Sequence, residues 1–376
     1  MSRRFLAVFS VIFLFVTCAS AASLDEAARA VEKIRGQKFL APIHRVDIDR
    51  AELPTQLRAQ MEKSLPYSID EWVSILQALQ LLDRDTKDVV PKLISLYESQ
   101  VLAFYDAQTH TYYAIRQLPL AARELDGAGM LEETVVVHEL THALQDQLFG
   151  IGAKDYALRT DADASLAYHA LLEGEATLVM MAHLVSKAGA DFDAMIREDT
   201  LVNGLVAAAA SEKSIDPSTP RYFSDSLKFP YLEGLRFVIE AYRRGGWKEL
   251  DRIHTDPPRS TREILHPDEY FAHSFRAKPF VASRPTNALT VEHLGEYHWG
   301  FLLGNDNARG WVDDRVVITQ NERCESLVSV ETTWESAAKA NAFRDAYVKF
   351  LRDRGIEPSV SQDGVVVKVK YAAVSS

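Results

Sequence analysis

His138-Glu139-Leu140-Thr141-His142 forms an H-E-x-x-H pattern inside the run L-E-E-T-V-V-V-H-E-L-T-H-A-L-Q-D-Q-L-F from Leu131 to Phe149. On a helix of about 3.6 residues per turn, positions four apart stand one above the other. His138 and His142 can therefore aim an imidazole nitrogen each at one ion, at roughly 2.0–2.1 Å if that ion is zinc. Glu139 lies one step round the helix, placed to reach a water on the ion rather than the ion itself. Two neutral nitrogens leave most of a divalent charge uncompensated, so the pattern calls for a third, anionic ligand and a position left for water. The plain alternative is a helix that carries two histidines, one of them satisfied in the core.

The third ligand is expected in Leu172-Glu173-Gly174-Glu175-Ala176-Thr177. A long helix is expected here, capped by Asp161 or Asp163, ending near Lys187 and stopped by Gly189. Leu166, Ala170, Glu173, Thr177, Met180 and Leu184 would share one of its faces, leaving Glu173 in a largely apolar stripe. A buried carboxylate without a partner is costly, and a metal ion resolves that cost. Glu175 falls about 200° round the same helix, so the two acids cannot both face the ion. Its own stripe (Tyr168, Leu172, Val179, Ala182, Ser186) is only slightly more polar. Periodicity favours Glu173 and leaves Glu175 open as the alternative. Either could instead be a glutamate paired with an arginine or histidine. His169 and His183 read as structural or supporting residues rather than ligands.

Stepping outward, the motif helix is expected over Leu131–Phe149, with Val136, Leu140, Leu144 and Leu148 as its apolar stripe and Gly150 as its stop. Val101–Tyr105 and Thr111–Ile115 are β-prone aromatic runs flanking a polar turn, the mark of a hairpin. A strand at a sheet edge can take extended peptide by backbone pairing, largely indifferent to side chains. From Ser23 to about Leu96 the sequence reads as helical: a charge-rich amphipathic segment over Leu24–Lys38 expected on the surface, then helices opening at Ile69 and Val90. Ile151–Thr160 reads as a loop and Asp191–Pro220 as a helix running into a connector. A helix opens at Phe229 and ends by Gly246. Ser260 or Thr261 starts a short helix or turn that delivers His266 and Tyr270. Beyond Asn287 a β-β-α-β run gives a small α+β module.

The chain has 376 residues with 47% hydrophobic and 25% charged side chains, ordinary values for a globular protein with a sizeable core. A formal net charge of −11 argues against a nucleic-acid surface and against docking on anionic membranes. Arg3 and Arg4, the apolar run Phe5–Val16 and the small residues Cys18–Ser23 read as a secretory signal peptide over residues 1–22, cleaved after Ala21 or Ala22. A lipidated Cys18 is the competing reading, poorly served by Thr17. No later stretch reaches the roughly 18 apolar residues of a membrane span. With Cys18 in the leader, Cys324 is the one cysteine left, so no intrachain disulfide is expected.

Taken together, these segments resemble exported zinc metallopeptidases of the gluzincin type. The resemblance runs from about Ile69 to the C-terminal module. It rests on Ala103–Asp106, on H-E-L-T-H-A-L-Q-D-Q over His138–Gln147, and on Leu172–Thr177. It continues in Phe229-Pro230-Tyr231 with Gly234, in Pro257–Thr261 with Ile264–Pro267, and in Gly310-Trp311 with Asp314-Arg315. The stretch Gly310–Arg315 carries less glycine than that pattern would. The resemblance implies a predominantly helical α+β fold with a zincin-type catalytic core and a small β-sheet edge. The expected spans are an N-terminal helical region over 23–98, the core over 99–286 and the module over 287–376. It also implies Glu173, before a small residue, as the glutamate ligand beside His138 and His142, with Zn2+ as the cofactor.

Peptide-bond hydrolysis follows as the expected activity, on a peptide or protein substrate, with Glu139 as general base. His266 is the first candidate for a donor to the oxyanion, with Tyr231 and Tyr270 behind it. The rivals are a non-catalytic binding protein on the same scaffold, and a zinc hydrolase of cell-wall peptides.

Overall fold

Helices account for most of the residues described by the computed structural model, which are 24–117, 130–199, 202–204, 219–320 and 325–373. Two small sheets complete a predominantly helical α+β fold. The expected leader over 1–22 with Cys18, the lone Cys324, and most of the connector before Pro220 lie outside the described residues. No helix among those described is long and apolar enough to cross a membrane. The chain divides into two units that are discontinuous in sequence, unlike the contiguous spans expected. The first takes residues up to Gln60, Val90–Tyr156 and His169–Pro257; the second takes Met61–Val89, Ala157–Tyr168 and Pro258–Ser376.

In the first unit the motif helix runs Met130–Phe149 and ends where Gly150 turns to φ +64°. The expected hairpin is present as β2 (Ala103–Asp106) and β3 (Thr111–Arg116), antiparallel to each other. One strand precedes them: β1 (His44–Asp49) pairs parallel to β3, giving the order β1-β3-β2. That corrects the all-helical reading of the first hundred residues. H-R-V-D-I-D alternates too briefly to announce itself, and it holds as a strand because β3 offers an edge and Ile48 closes a cluster with Leu53 and Ile115.

The N-terminal helix, Leu24–Arg35, is amphipathic as expected but not superficial. It buries Ala27 and Val31 in a cluster with Val137, Leu140 and Leu144 of the motif helix. Ile151–Leu158 is a helix, not the expected loop. It comes within van der Waals range of the β2–β3 turn at Gly152, where a Cβ would stand 2.5 Å from the Ala107 carbonyl oxygen.

The glutamate helix runs Ala162–Lys187, with Asp161 accepting from the Ala164 amide at 3.0 Å as its cap. A further helix, Arg221–Gly245, starts eight residues before the Phe229 expected from sequence and carries Pro230 within it. These two helices meet backbone to backbone. A Cβ on Gly174 would lie 2.4 Å from the Gly234 carbonyl, and one on Gly234 would lie 2.0 Å from the Ala170 carbonyl oxygen.

In the second unit the expected β-β-α-β run appears as β5 (Trp311–Gln320), β6 (Ser326–Trp334), the helix Ala337–Arg352 and β8 (Val366–Ala373). Two more strands, β4 (Ala288–Glu292) and β7 (Ser359–Asp363), complete an antiparallel sheet of order β4-β5-β6-β8-β7. Trp299, Trp311, Trp334, Phe343 and Tyr347 fill its core. The buried Asp314 carboxylate ties the module together. It accepts from the Leu294 and Gly295 amides at 2.9 and 2.8 Å and from the Trp299 and Trp311 indoles at 3.0 and 2.8 Å.

Because the Gly174–Gly234 contact is between backbones, no side-chain rotamer can relieve an added methyl. Gly234→Ala is expected to lower stability by at least the ~1–3 kcal/mol typical of overpacking, read as a reduced urea midpoint at unchanged m-value.

Candidate metal centre

One turn of the motif helix and the middle of the glutamate helix bring His138, His142 and Glu173 together in the first unit. His138 Nε2 is 3.0 Å from Glu173 Oε2, His142 Nε2 is 3.4 Å from the same oxygen, and the two nitrogens are 3.3 Å apart. Ligands about 2.0–2.1 Å from a tetrahedral zinc stand roughly 3.3 Å from one another, so this triangle has the dimensions of one face of such a site. Among the described residues it is the one group of three or more His, Cys, Asp or Glu so arranged. Two imidazoles and one carboxylate are a donor set that suits zinc. Both histidines are buried, at 8% and 9% exposure, so their nitrogens have little access to compensating water.

The charges are consistent with that geometry. Burial opposes ionisation of Glu173, yet the two imidazoles hold its carboxyl well below the usual range. Burial likewise opposes a charge on His142, and Glu173 overrides it, pushing the imidazole up to about 9. A protonated imidazole beside a carboxylate is the arrangement a cation replaces, releasing a proton as it binds.

Glu139 sits beside this triangle. Its Oε2 accepts from the Tyr105 amide of β2 at 2.9 Å, and burial raises its pKa against the opposing pull of the two histidines. The β2–β3 hairpin is fastened to the motif helix by Asp146, which takes the Tyr105 hydroxyl at 2.8 Å and His110 Nδ1 at 2.6 Å. From the helix Arg221–Gly245, Tyr231 stacks over His138 with centroids 6.1 Å apart and rings 24° from parallel. Its hydroxyl is hydrogen-bonded to Glu173; burial first, and then Glu173 and Glu139, keep it protonated.

Glu175 stands on the far side of the glutamate helix, fully buried, with quite different partners. Arg35 Nε lies 2.6 Å from its Oε1, an ion pair by distance although the N–H is not aligned for a hydrogen bond. Its Oε2 takes His254 Nε2 and, at 2.9 Å, the Gln145 side-chain amide. Pairing with arginine and histidine was the plain alternative for either glutamate, and it describes Glu175. Sequence reasoning missed Arg35, Gln145 and His254. Gln145 had a signal, three residues beyond His142 on the same helical face; the other two arrive from distant segments.

His169 and His183 pair with Asp155 at 2.7 Å and Glu133 at 3.0 Å, not with the triangle. His266 belongs to the second unit. There its Nδ1 meets Arg309 at 2.8 Å and its Nε2 meets Glu296 at 2.5 Å. Arginine can only donate, so Nδ1 accepts and Nε2 carries the proton. Both ring nitrogens are thus engaged inside that unit. Tyr270 is also there, buried against Phe271 and Arg276.

A family model described as a domain of unknown function, DUF8575, matches residues 277–375, which is the region of the five-stranded sheet. No curated protein and no solved structure matches the chain.

Equilibrium dialysis against Zn2+ is expected to return one tightly held ion per chain. Glu173→Gln should weaken that binding by more than the ~10–100-fold typical of changes behind the ligands, because it removes the only anionic donor of the three.

Proposed function

We propose that this protein hydrolyses peptide bonds with a zinc ion held by His138, His142 and Glu173. The observation that carries the reading is the ligand triangle with a half-buried carboxylate, Glu139, beside it. Glu139 is not needed to hold the ion, so its presence favours hydrolysis over simple metal storage. When bound, the cation would polarise a carbonyl oxygen and acidify a water.

The remaining steps belong to the chain's own residues. Glu139 takes a proton from the attacking water as its oxygen bonds to the scissile carbonyl carbon, and delivers that proton to the departing amine as the C–N bond breaks. The elevated pKa that burial gives Glu139 suits both halves of that task, since the acid form must persist long enough to protonate the amine. The Tyr105 amide fixes one carboxylate oxygen and leaves the other for the water. Tyr231, kept protonated by its surroundings, is the donor we assign to the developing oxyanion. It takes precedence over His266 because its ring stacks on His138 and its hydroxyl reaches Glu173, two members of the triangle. As an outer strand of its sheet, β2 has backbone groups that β3 does not use; with the Tyr105 amide held by Glu139, the remaining groups of that edge are the ones suited to pairing with an extended peptide. The leader read over residues 1–22 would send this hydrolase out of the cytoplasm.

Glu139→Gln is expected to cut peptide cleavage by ~100-fold or more while Zn2+ content stays at the wild-type level; unchanged cleavage by this variant would refute the mechanism. Tyr231→Phe should lower kcat by ~100–1000-fold with little change in KM, as loss of an oxyanion donor does. Both are read with a quenched-fluorescent peptide library and chelator controls.

A further inference from the structure

Glu175 is a fully buried carboxylate that the reaction does not use, and both of its oxygens have polar neighbours. Arg35, at the end of the N-terminal helix, reaches it at 2.6 Å. The same guanidinium is held by Asp251 at 2.6 Å and lies over the Trp247 ring, 5.0 Å from its centroid. On the other side His254, itself fully buried and stacked on Phe149 at 4.2 Å, donates to Glu175 Oε2. Ion networks this deep are rarely better for stability than apolar side chains of the same volume. A different benefit has to account for it.

That benefit lies one residue further along. Gln145 Nε2 donates to Glu175 Oε2 at 2.9 Å and to the Leu172 carbonyl at 3.2 Å. Both neighbours only accept, so the amide cannot turn over without facing oxygen to oxygen. Its Oε1 is therefore presented to His142 Nδ1, 2.8 Å away. An acceptor there requires the imidazole proton on Nδ1 and leaves Nε2 directed at Glu173 and His138. A flipped amide would put a donor against Nδ1 and move the imidazole proton to Nε2, where it would block coordination.

We propose that Glu175, oriented by Arg35 and His254, is a positioning residue that acts through Gln145 to hold His142 in its metal-binding tautomer. The inference rests on the zinc reading above and extends it to the N-terminal helix. Leu24–Arg35 supplies the cation that keeps Glu175 in place, so this helix is part of the centre.

The test uses the full chain. Zn2+ affinity is measured by chelator competition and the ligand field by the visible absorption of the Co2+-loaded protein, for wild type, Gln145→Met, Glu175→Gln, Arg35→Met and the Gln145→Met/Glu175→Gln double variant. Each single change is expected to weaken Zn2+ binding ~10–100-fold and to alter the Co2+ spectrum. The double variant should be no worse than its weaker single, because both break one chain of contacts. Val330→Ala, which removes buried volume from β6 of the five-stranded sheet, should lower the melting temperature and leave the Co2+ spectrum alone. Should Gln145→Met fail to fold, the near-isosteric Glu175→Gln carries the same readout. Wild-type affinity and spectrum in Gln145→Met and Glu175→Gln, or additive losses in the double variant, would overturn the relay alone. A wild-type chain that takes up no Zn2+ would overturn the metal reading and the relay with it.

Discussion

Two carboxylates, one fully buried and one half-buried, stand two residues apart on one helix and set the terms for everything around the site. A helical step of about 100° per residue sends Glu173 and Glu175 to nearly opposite faces. Neither can be left in a low-dielectric interior without a counter-charge. Glu173 finds two imidazoles on the motif helix; Glu175 finds Arg35, His254 and Gln145. The first set has the spacing of a group that could hold a metal ion, and in the second an arginine, a histidine and an amide supply the neighbours of the carboxylate. Gln145 joins them, since it touches both His142 and Glu175.

Such an arrangement needs helices closer than side chains normally allow. Gly174 lies between the two glutamates, and its missing Cβ lets the backbone of the helix Arg221–Gly245 come against the glutamate helix at Gly234. That approach carries Tyr231, three residues earlier, to Glu173 and over His138. The glycines therefore work as spacers that determine where a phenol can reach. On the opposite flank, Val31 and Ala27 seat the N-terminal helix on Leu140 and Leu144, which brings Arg35 to Glu175. Apolar packing does the positioning, and the charged tips do the recognition.

The second unit obeys the same logic with another acid at its centre. Asp314 collects two backbone amides and two indoles, so a carboxylate that burial would penalise becomes the point where β5 meets the segment around Leu294 and Gly295. This explains why a Trp311…Asp314 pairing stands out in a region otherwise read only as an alternating sheet. His266, despite its suggestive type, is absorbed into the same kind of internal pairing through Glu296 and Arg309.

Where an arrangement is local in the chain, it was legible beforehand. His138, Glu139 and His142 follow from a four-residue helical repeat, the hairpin from two aromatic runs about a turn, and the α+β character from the change of periodicity after Asn287. Even the preference for Glu173 came from its apolar stripe. What stayed hidden depended on partners far along the chain. The strand His44–Asp49 exists because β3 offers it an edge, and Leu24–Arg35 leaves the surface because Leu140 and Leu144 await it. Glu175 is assigned by Arg35 and His254, which lie 140 residues before it and 79 after it. Periodicity reports which face of a helix a residue occupies. It carries no record of what another segment will bring to that face, and the energy of a buried charge depends on that neighbour.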